Sequence, residues 1–330
     1  MEPTEEIKGQ GTKEDPYIAT NWQHFLDKCN TKHDDGTTVY IKFADKDDPS
    51  EKVIDCNEFY ENGLGQGIQI LANVDFNGWT IKNLFNDISY TSASTRSVFY
   101  INATGSKYIP TISNGNFENI VIKTAPYGAI GTFITTYAYN NGSNVYIRNC
   151  NFSITLENST TFSYSGGNNT ASSFYRCSFN IKAFGKADLF GAYRIPTLYY
   201  CNLHIEHEQY EYTNYGSGSN NNYIPISYNC YIDGYVNGDK TKITYFHYRH
   251  NLCHTIFNVK LKDVYDDSST LLFTSISGVS LVNKDIINFD EFATNESGYS
   301  WNSLLKTVTT EELKDADVLS KLGFPVYSKK

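Results

Sequence analysis

The run His204-Ile205-Glu206-His207-Glu208 has the residue types of a metal site. Imidazole and carboxylate are ordinary zinc ligands. In an extended strand His204, Glu206 and Glu208 share one face, and His207 points to the other. Same-face neighbours then sit about 6.6–7 Å apart, too far for tight joint coordination without help from a loop. Asp263, Asp266 and Asp267 form an acidic turn of the kind that can hold Ca²⁺. Their spacing does not meet the EF-hand pattern, and a solvated loop explains them. The expectation is no metal and no cofactor.

Cleavage of a glycan calls for two carboxylates about 5–9 Å apart. If the chain coils so that Cys177, Cys201 and Cys230 stack, then Asn180, His204 and Asp233 fall in one outward row. Lys182, Glu206 and Tyr235 fall in the next. A His–Asp neighbour and a Lys–Glu neighbour are therefore expected. These pairs suit acid–base chemistry or sugar contacts. They equally suit a charge-balanced solvated face, each pair contributing under about 1 kcal/mol. No two carboxylates take matching places in these rows, so no catalytic residue is assigned and a non-enzymatic protein is favoured.

Three tyrosine-rich stretches offer binding chemistry. They are Thr136-Tyr137-Ala138-Tyr139, Tyr210-Glu211-Tyr212-Thr213-Asn214-Tyr215 and Tyr245-Phe246-His247-Tyr248-Arg249-His250. Tyrosine supplies flat apolar area with a polar tip at low entropy loss. Tyr137, Tyr139, Tyr210, Tyr212, Tyr215, Tyr245, Tyr248 and Arg249 are the candidate ligand-binding residues. The alternative, that such tyrosines form ladders supporting the fold, stays open.

The elements that position these residues come from a repeat. Cys150, Cys177, Cys201, Cys230 and Cys253 are separated by 27, 24, 29 and 23 residues. Four sit in similar sequence: Arg148-Asn149-Cys150-Asn151-Phe152, Tyr175-Arg176-Cys177-Ser178-Phe179, Tyr199-Tyr200-Cys201-Asn202-Leu203 and Tyr228-Asn229-Cys230-Tyr231-Ile232. The alternation that follows each cysteine is that of a strand with one buried face. Asn119-Ile120-Val121-Ile122 and Gly278-Val279-Ser280-Leu281 extend the frame upstream and downstream. Asn77-Gly78-Trp79-Thr80-Ile81-Lys82-Asn83-Leu84 is a still earlier member, with an insertion expected in Asp87–Arg96. In this frame Asn119, Asn149 and Asn229 share a slot that Arg176 and Tyr200 interrupt. A second strand recurs at Val98–Ile101, Thr132–Ile134, Thr161–Tyr164, Asp188–Phe190, Tyr223–Ile226, Ile243–Phe246 and Leu271–Phe273. Two or three short strands per repeat, with no helix between them, fit a single-stranded right-handed parallel β-helix of roughly eight to nine rungs.

Composition agrees. The 330 residues include 27 Tyr, 20 Phe and 34 Asn, and only 19% are charged. Aromatics fill a long core, and stacked Asn amides bond from rung to rung. The net charge of −9 disfavours a nucleic-acid partner, since phosphates are repelled without a strong basic patch. No apolar run is long enough for a membrane span, and MEPTEEIKGQGTKEDPY lacks the apolar stretch of a secretory signal. Stacked cysteines keep their Cβ atoms about 4.8 Å apart on parallel vectors, outside disulfide range, so they are expected as buried free thiols.

The open ends of such a coil need caps. Thr20 is the expected N-cap of a helix that aligns Trp22, Phe25, Leu26 and Cys29 on one face, followed by strands at Val39–Phe43, Val53–Ile54 and Ile68–Leu71. Thr309-Thr310-Glu311-Glu312-Leu313-Lys314-Asp315-Ala316 is expected to form a short closing helix. The resulting division is 1–65 as N-terminal cap and first strands, 66–290 as β-helix and 291–330 as C-terminal cap. The opening Gly11-Thr12-Lys13-Glu14-Asp15-Pro16-Tyr17-Ile18, the stretch 77–84 and the closing Gly323-Phe324-Pro325-Val326 resemble pectate-lyase-like β-helix proteins of bacteriophage virions and bacterial surfaces. The resemblance implies a structural virion protein on tail or capsid, assembled in the host cytoplasm without a signal peptide. It would bind host-surface polysaccharide or dock on other virion proteins, and a homo-oligomer is compatible with it. A tail-spike glycan depolymerase and a bacterial surface adhesin are the alternatives.

Overall fold

The computed structural model describes residues 6–60, 67–86, 97–102, 110–123, 131–137, 145–157, 160–166, 172–185, 187–190, 196–210, 222–223, 226–238, 244–247, 252–253, 256–261, 271–273, 285–288 and 305–308, with 315 and 317. Beyond residue 237, and at several strand ends, the description covers the backbone alone, apart from Asp315 and Asp317.

The chain winds as a parallel β-helix, with strands rotating in sequence around three faces. One full turn runs from Ser172–Tyr175 on face one to Ser178–Phe184 on face two, Asp188–Phe190 on face three, and Thr197–Tyr199 back on face one. Every strand pairing described is parallel. Face one stacks nine strands from Tyr17–Ala19 to Leu252–Cys253 among the described residues. Face two stacks ten in one path from Val53–Asp55 to Leu305–Val308. Face three holds five, and Asn222–Tyr223 leads a further three-stranded sheet next to them. The longest ladder exceeds the expected eight to nine rungs because strands at both ends pair without the cysteine pattern that marks the middle.

Alternation builds the core. In Ser178–Phe184 exposed and buried residues alternate at every step. The inward rows repeat from rung to rung, so like stacks on like. Phe117, Phe152 and Phe179 stack at 5.2 Å between neighbouring centroids. Phe133 and Phe162 stack at 5.6 Å from face three and meet that column edge-on. Each buried ring contributes about 1.5–3 kcal/mol relative to exposure. Face three also buries hydroxyls in a closed set: Ser97, Thr132 and Thr135 lie 2.5–2.7 Å from one another, so no donor is stranded.

The cysteines sit at the corner between faces one and two, one residue before the strand rather than inside it. Ser178 N–H donates to Cys150 O, Asn202 N–H to Cys177 O and Tyr231 N–H to Cys201 O, which makes the four cysteines one row. All four are buried free thiols, as are Cys29 and Cys56. Upstream, Asn151 N–H donates to Gly115 O and Asn116 N–H to Trp79 O. The row therefore reads Trp79, Gly115, Cys150, Cys177, Cys201, Cys230. A Cβ on Gly115 would lie 3.0 Å from the Phe117 ring and 3.1 Å from the Phe76 ring, so a side chain there would require these rings to shift.

Four expectations need correction. Asn119 does not share the slot of Asn149; Asn114 does, because Gly115 takes the cysteine place and a bulge adds one residue between Phe117 and Ile120. Cys253 pairs with Tyr228 and so falls two places short of the cysteine row. The helix Trp22–Cys29 is capped by Asn21, whose side chain accepts from His24 N–H, and not by Thr20. Tyr223–Ile226 is not one strand: Asn222–Tyr223 belongs beside face three and Ile226–Tyr228 to face one. Residues 278–281, the insertion at 87–96, and nearly all of the closing segment 309–316 lie outside the described residues.

Trp22, Phe25 and Cys29 are buried against the first rungs, with Leu26 packed beside them, so the helix covers the N-terminal end of the core. Among the described residues no helix is long and apolar enough to cross a membrane.

Candidate functional site

The register places the two outward rows as expected. Asn180, His204 and Asp233 align across three strands of face two, and Lys182, Glu206 and Tyr235 align beside them. His204 Nδ1 lies 2.7 Å from Asp233 Oδ1, and its Nε2 lies 3.4 Å from Glu206 Oε1. Lys182 Nζ lies 3.3 Å from Glu206 Oε2. The Tyr235 hydroxyl donates to Glu208 Oε1 and the Asn237 amide to Glu208 Oε2, both at 2.8 Å. Two sets of polar contacts, one through Lys182, Glu206, His204 and Asp233 and one through Tyr235, Glu208 and Asn237, therefore run along one outer strip of three rungs.

Partial burial pushes the Glu206 carboxyl up, but hydrogen bonds from Lys182 and His204 outweigh it and hold it below its ordinary value. The hydrogen bond to Glu208, helped by burial, pushes the Tyr235 phenol up to about 12. The strip thus carries Glu206 as an ionised acceptor and Tyr235 as a protonated donor at neutral pH. It suits recognition of hydroxyl groups better than proton donation, for which a carboxyl with a raised pKa is wanted.

His207 points inward, as the alternation requires. It is fully buried, its Nε2 lies 3.0 Å from Gly185 O, and burial pushes it down to about 4. Among the described residues no group of three His, Cys, Asp or Glu side chains could hold a metal ion. Asp263, Asp266 and Asp267 lie outside them.

The strand Tyr231–Gly238 needs a glycine beneath this strip. Gly234 has φ +123°, and a Cβ there would come within 1.8 Å of Ile205 O. The close approach keeps Asp233 and Tyr235 in register with His204 and Glu206.

A second feature borders the strip and was missed in the sequence. On face one Tyr175, Tyr199 and Tyr228 stack face to face, with centroids 4.4 and 5.0 Å apart and interplanar angles of 6° and 8°. The Arg148 guanidinium lies 5.4 Å from the Tyr175 ring at one end. The signal was the recurring Tyr two residues before Cys177, Cys201 and Cys230. Because these rings cover one another's faces, they form a ladder supporting the coil and leave little flat area for a sugar.

Between this ladder and the strip runs the corner itself. Asn114, Asn149, Arg176, Tyr200 and Asn229 occupy it on successive rungs, all with φ between 51° and 56°. Asn tolerates that left-handed conformation, whereas other side chains lose about 1–2 kcal/mol there. Asn149 Nδ2 donates to Asn114 Oδ1 at 3.1 Å, and Asn114 Nδ2 to Asp75 Oδ1 at 2.8 Å. Arg176 and Tyr200 break this ladder.

Of the tyrosines named from the sequence, Tyr137, Tyr210 and Tyr245 lie in the strands Gly131–Tyr137, Asn202–Tyr210 and Thr244–His247. Their side chains lie outside the described residues, as do Tyr139, Tyr212, Tyr215, Tyr248 and Arg249 entirely. At the N-terminal end a shallow cleft of about 580 Å³ lies among the loops around Lys13, His33, Asp34 and Tyr40.

No protein-family model, no curated protein and no solved structure matches this chain.

Proposed function

We propose that this chain is a non-enzymatic structural protein of a bacteriophage particle, displayed on tail or capsid, whose outer strip binds a host-surface polysaccharide. The observation that carries the binding part is the linked set Lys182, Glu206, His204, Asp233 on one face of a stiff coil. Polysaccharides are long and carry hydroxyl groups at regular intervals. A flat strip of fixed donors and acceptors at a rung spacing of about 4.8 Å suits them, and the coil arrives already ordered, so little entropy is lost on binding. The virion part rests on the resemblance of both chain ends to phage β-helix proteins. Electron micrographs of particles labelled with antibody to this chain test it: label on tail or capsid is expected, and unlabelled particles would overturn it.

One observation favours a second reading, a glycan depolymerase. His204 bridges two carboxylates, Asp233 and Glu206, as an acid–base group held in place would be. New reducing ends in polysaccharide incubated with the purified chain would establish it.

A further inference from the structure

We propose that Arg176 and Tyr200 form a second recognition point, at the corner beside the strip, for an acidic group carried on a saccharide. Both residues stand where neighbouring rungs place Asn, which fits the left-handed backbone better and continues the amide ladder. A position that gives up local fit for two large side chains invites a functional explanation. Both are exposed, Tyr200 by 56% of its surface. Among the described residues neither side chain has a hydrogen-bond, ion-pair or ring partner.

The charge around them is unlike that of the chain. The net charge is −9. Yet the row flanking the corner on face one reads Arg148, Tyr175, Tyr199, Tyr228, and the row on face two reads Asn151, Ser178, Asn202, Tyr231. Over these four rungs neither row contains a carboxylate, the nearest in the face-one row being Asp75 two rungs beyond Arg148, and Arg148 adds a second guanidinium. An unpaired guanidinium presents a planar fork that matches the oxygens of a carboxylate or a phosphate. One rung away, about 4.8 Å along the coil, the Tyr200 ring offers a flat face for a sugar. A polysaccharide lying on the strip would pass this corner with its acidic substituent at Arg176.

The inference rests on the polysaccharide reading, and one experiment separates the two. The full chain, Arg176→Gln and Tyr200→Ala are applied to an array of bacterial surface polysaccharides that are neutral, phosphate-bearing or uronate-bearing. Arg176→Gln is exposed and leaves the fold intact, which a thermal melt verifies. The expected result is preferential binding to one acidic class. Arg176→Gln should weaken it by about tenfold, the scale of one charge-assisted pair, with neutral polysaccharides unaffected. The class that responds tells phosphate from carboxylate. Binding to neutral polysaccharides alone, or acidic binding indifferent to Arg176→Gln, overturns this inference and leaves the polysaccharide reading standing. Binding to none overturns both. Capture of polyglutamate without any saccharide assigns the corner to an acidic protein partner and likewise overturns it.

Discussion

His204 Nδ1 lies 2.7 Å from Asp233 Oδ1, although the two residues are 29 apart in the chain. One turn of the coil brings them together, and the turn before it brings Lys182 to Glu206. The polar strip is therefore a product of the repeat length. A deletion of one residue between Glu208 and Cys230 would have to be absorbed in a loop for the strip to survive.

The strip contributes little to folding. The side chain of His204 is 42% exposed and that of Asp233 22%, so solvent screens the pair. Asp233→Ala should lower unfolding free energy by less than about 1 kcal/mol. Urea titration checks this. A loss of several kcal/mol would mean the pair holds the fold.

Gly234 has no permitted substitute. Gly234→Ala must move the Ile205 backbone, and about 3 kcal/mol or more of stability should be lost. Thermal melts of Gly234→Ala and Gly36→Ala make the comparison, because a Cβ at Gly36 meets nothing within 4 Å.

Acid should weaken the coil through His207. Its folded pKa is depressed to about 4 from 6.5, so the unfolded chain takes up the proton first. The stability it contributes is complete above about 6.5 and falls as pH drops toward 4, by about 3 kcal/mol in all. Urea unfolding at pH 7.5 and 4.5 should show a larger loss in the native sequence than in His207→Leu.

The described cysteines should stay unreactive until the coil unfolds. Burial pushes Cys29 and Cys56 up to about 12, and it pushes Cys177 and Cys230 up as well. Alkylation of the folded chain followed by mass spectrometry should leave all six unlabelled. Alkylation in denaturant should label them all, and any of them found in a disulfide would contradict the packing described.

Restoring the corner ladder should stabilise the coil. Tyr200→Asn relieves a left-handed tyrosine and adds an amide, a gain of about 0.5–1.5 kcal/mol. The same change should reduce saccharide binding. A destabilised variant would show that the Tyr200 ring packs on the coil.

The middle of the fold was legible because its chemistry repeats. Cysteine followed by alternating apolar residues marks each entry onto face two, and the rows through His204 and Glu206 followed by counting. Where the marker changes, counting fails. Gly115 stands in the cysteine row where the Phe76 and Phe117 rings crowd a Cβ, and the bulge at Glu118–Asn119 adds a residue with no signature of its own. Asn119 instead stacks on Asn83, its Nδ2 donating to Asn83 Oδ1 at 2.6 Å, in a second and shorter ladder. Cys253 misled in the opposite way, offering the marker out of place. The tyrosine ladder was spelled out at Tyr175, Tyr199 and Tyr228, but its outward direction needed the corner turn at Arg176, Tyr200 and Asn229, which composition does not reveal.

The most direct test of the central claim is size-exclusion chromatography with light scattering of host polysaccharide mixed with the full chain, compared with a Glu206→Gln, Asp233→Asn double variant. The native chain is expected to co-elute with polysaccharide of unchanged mass and the double variant to elute apart from it. Shortened polysaccharide, or co-elution that ignores the double substitution, would contradict it.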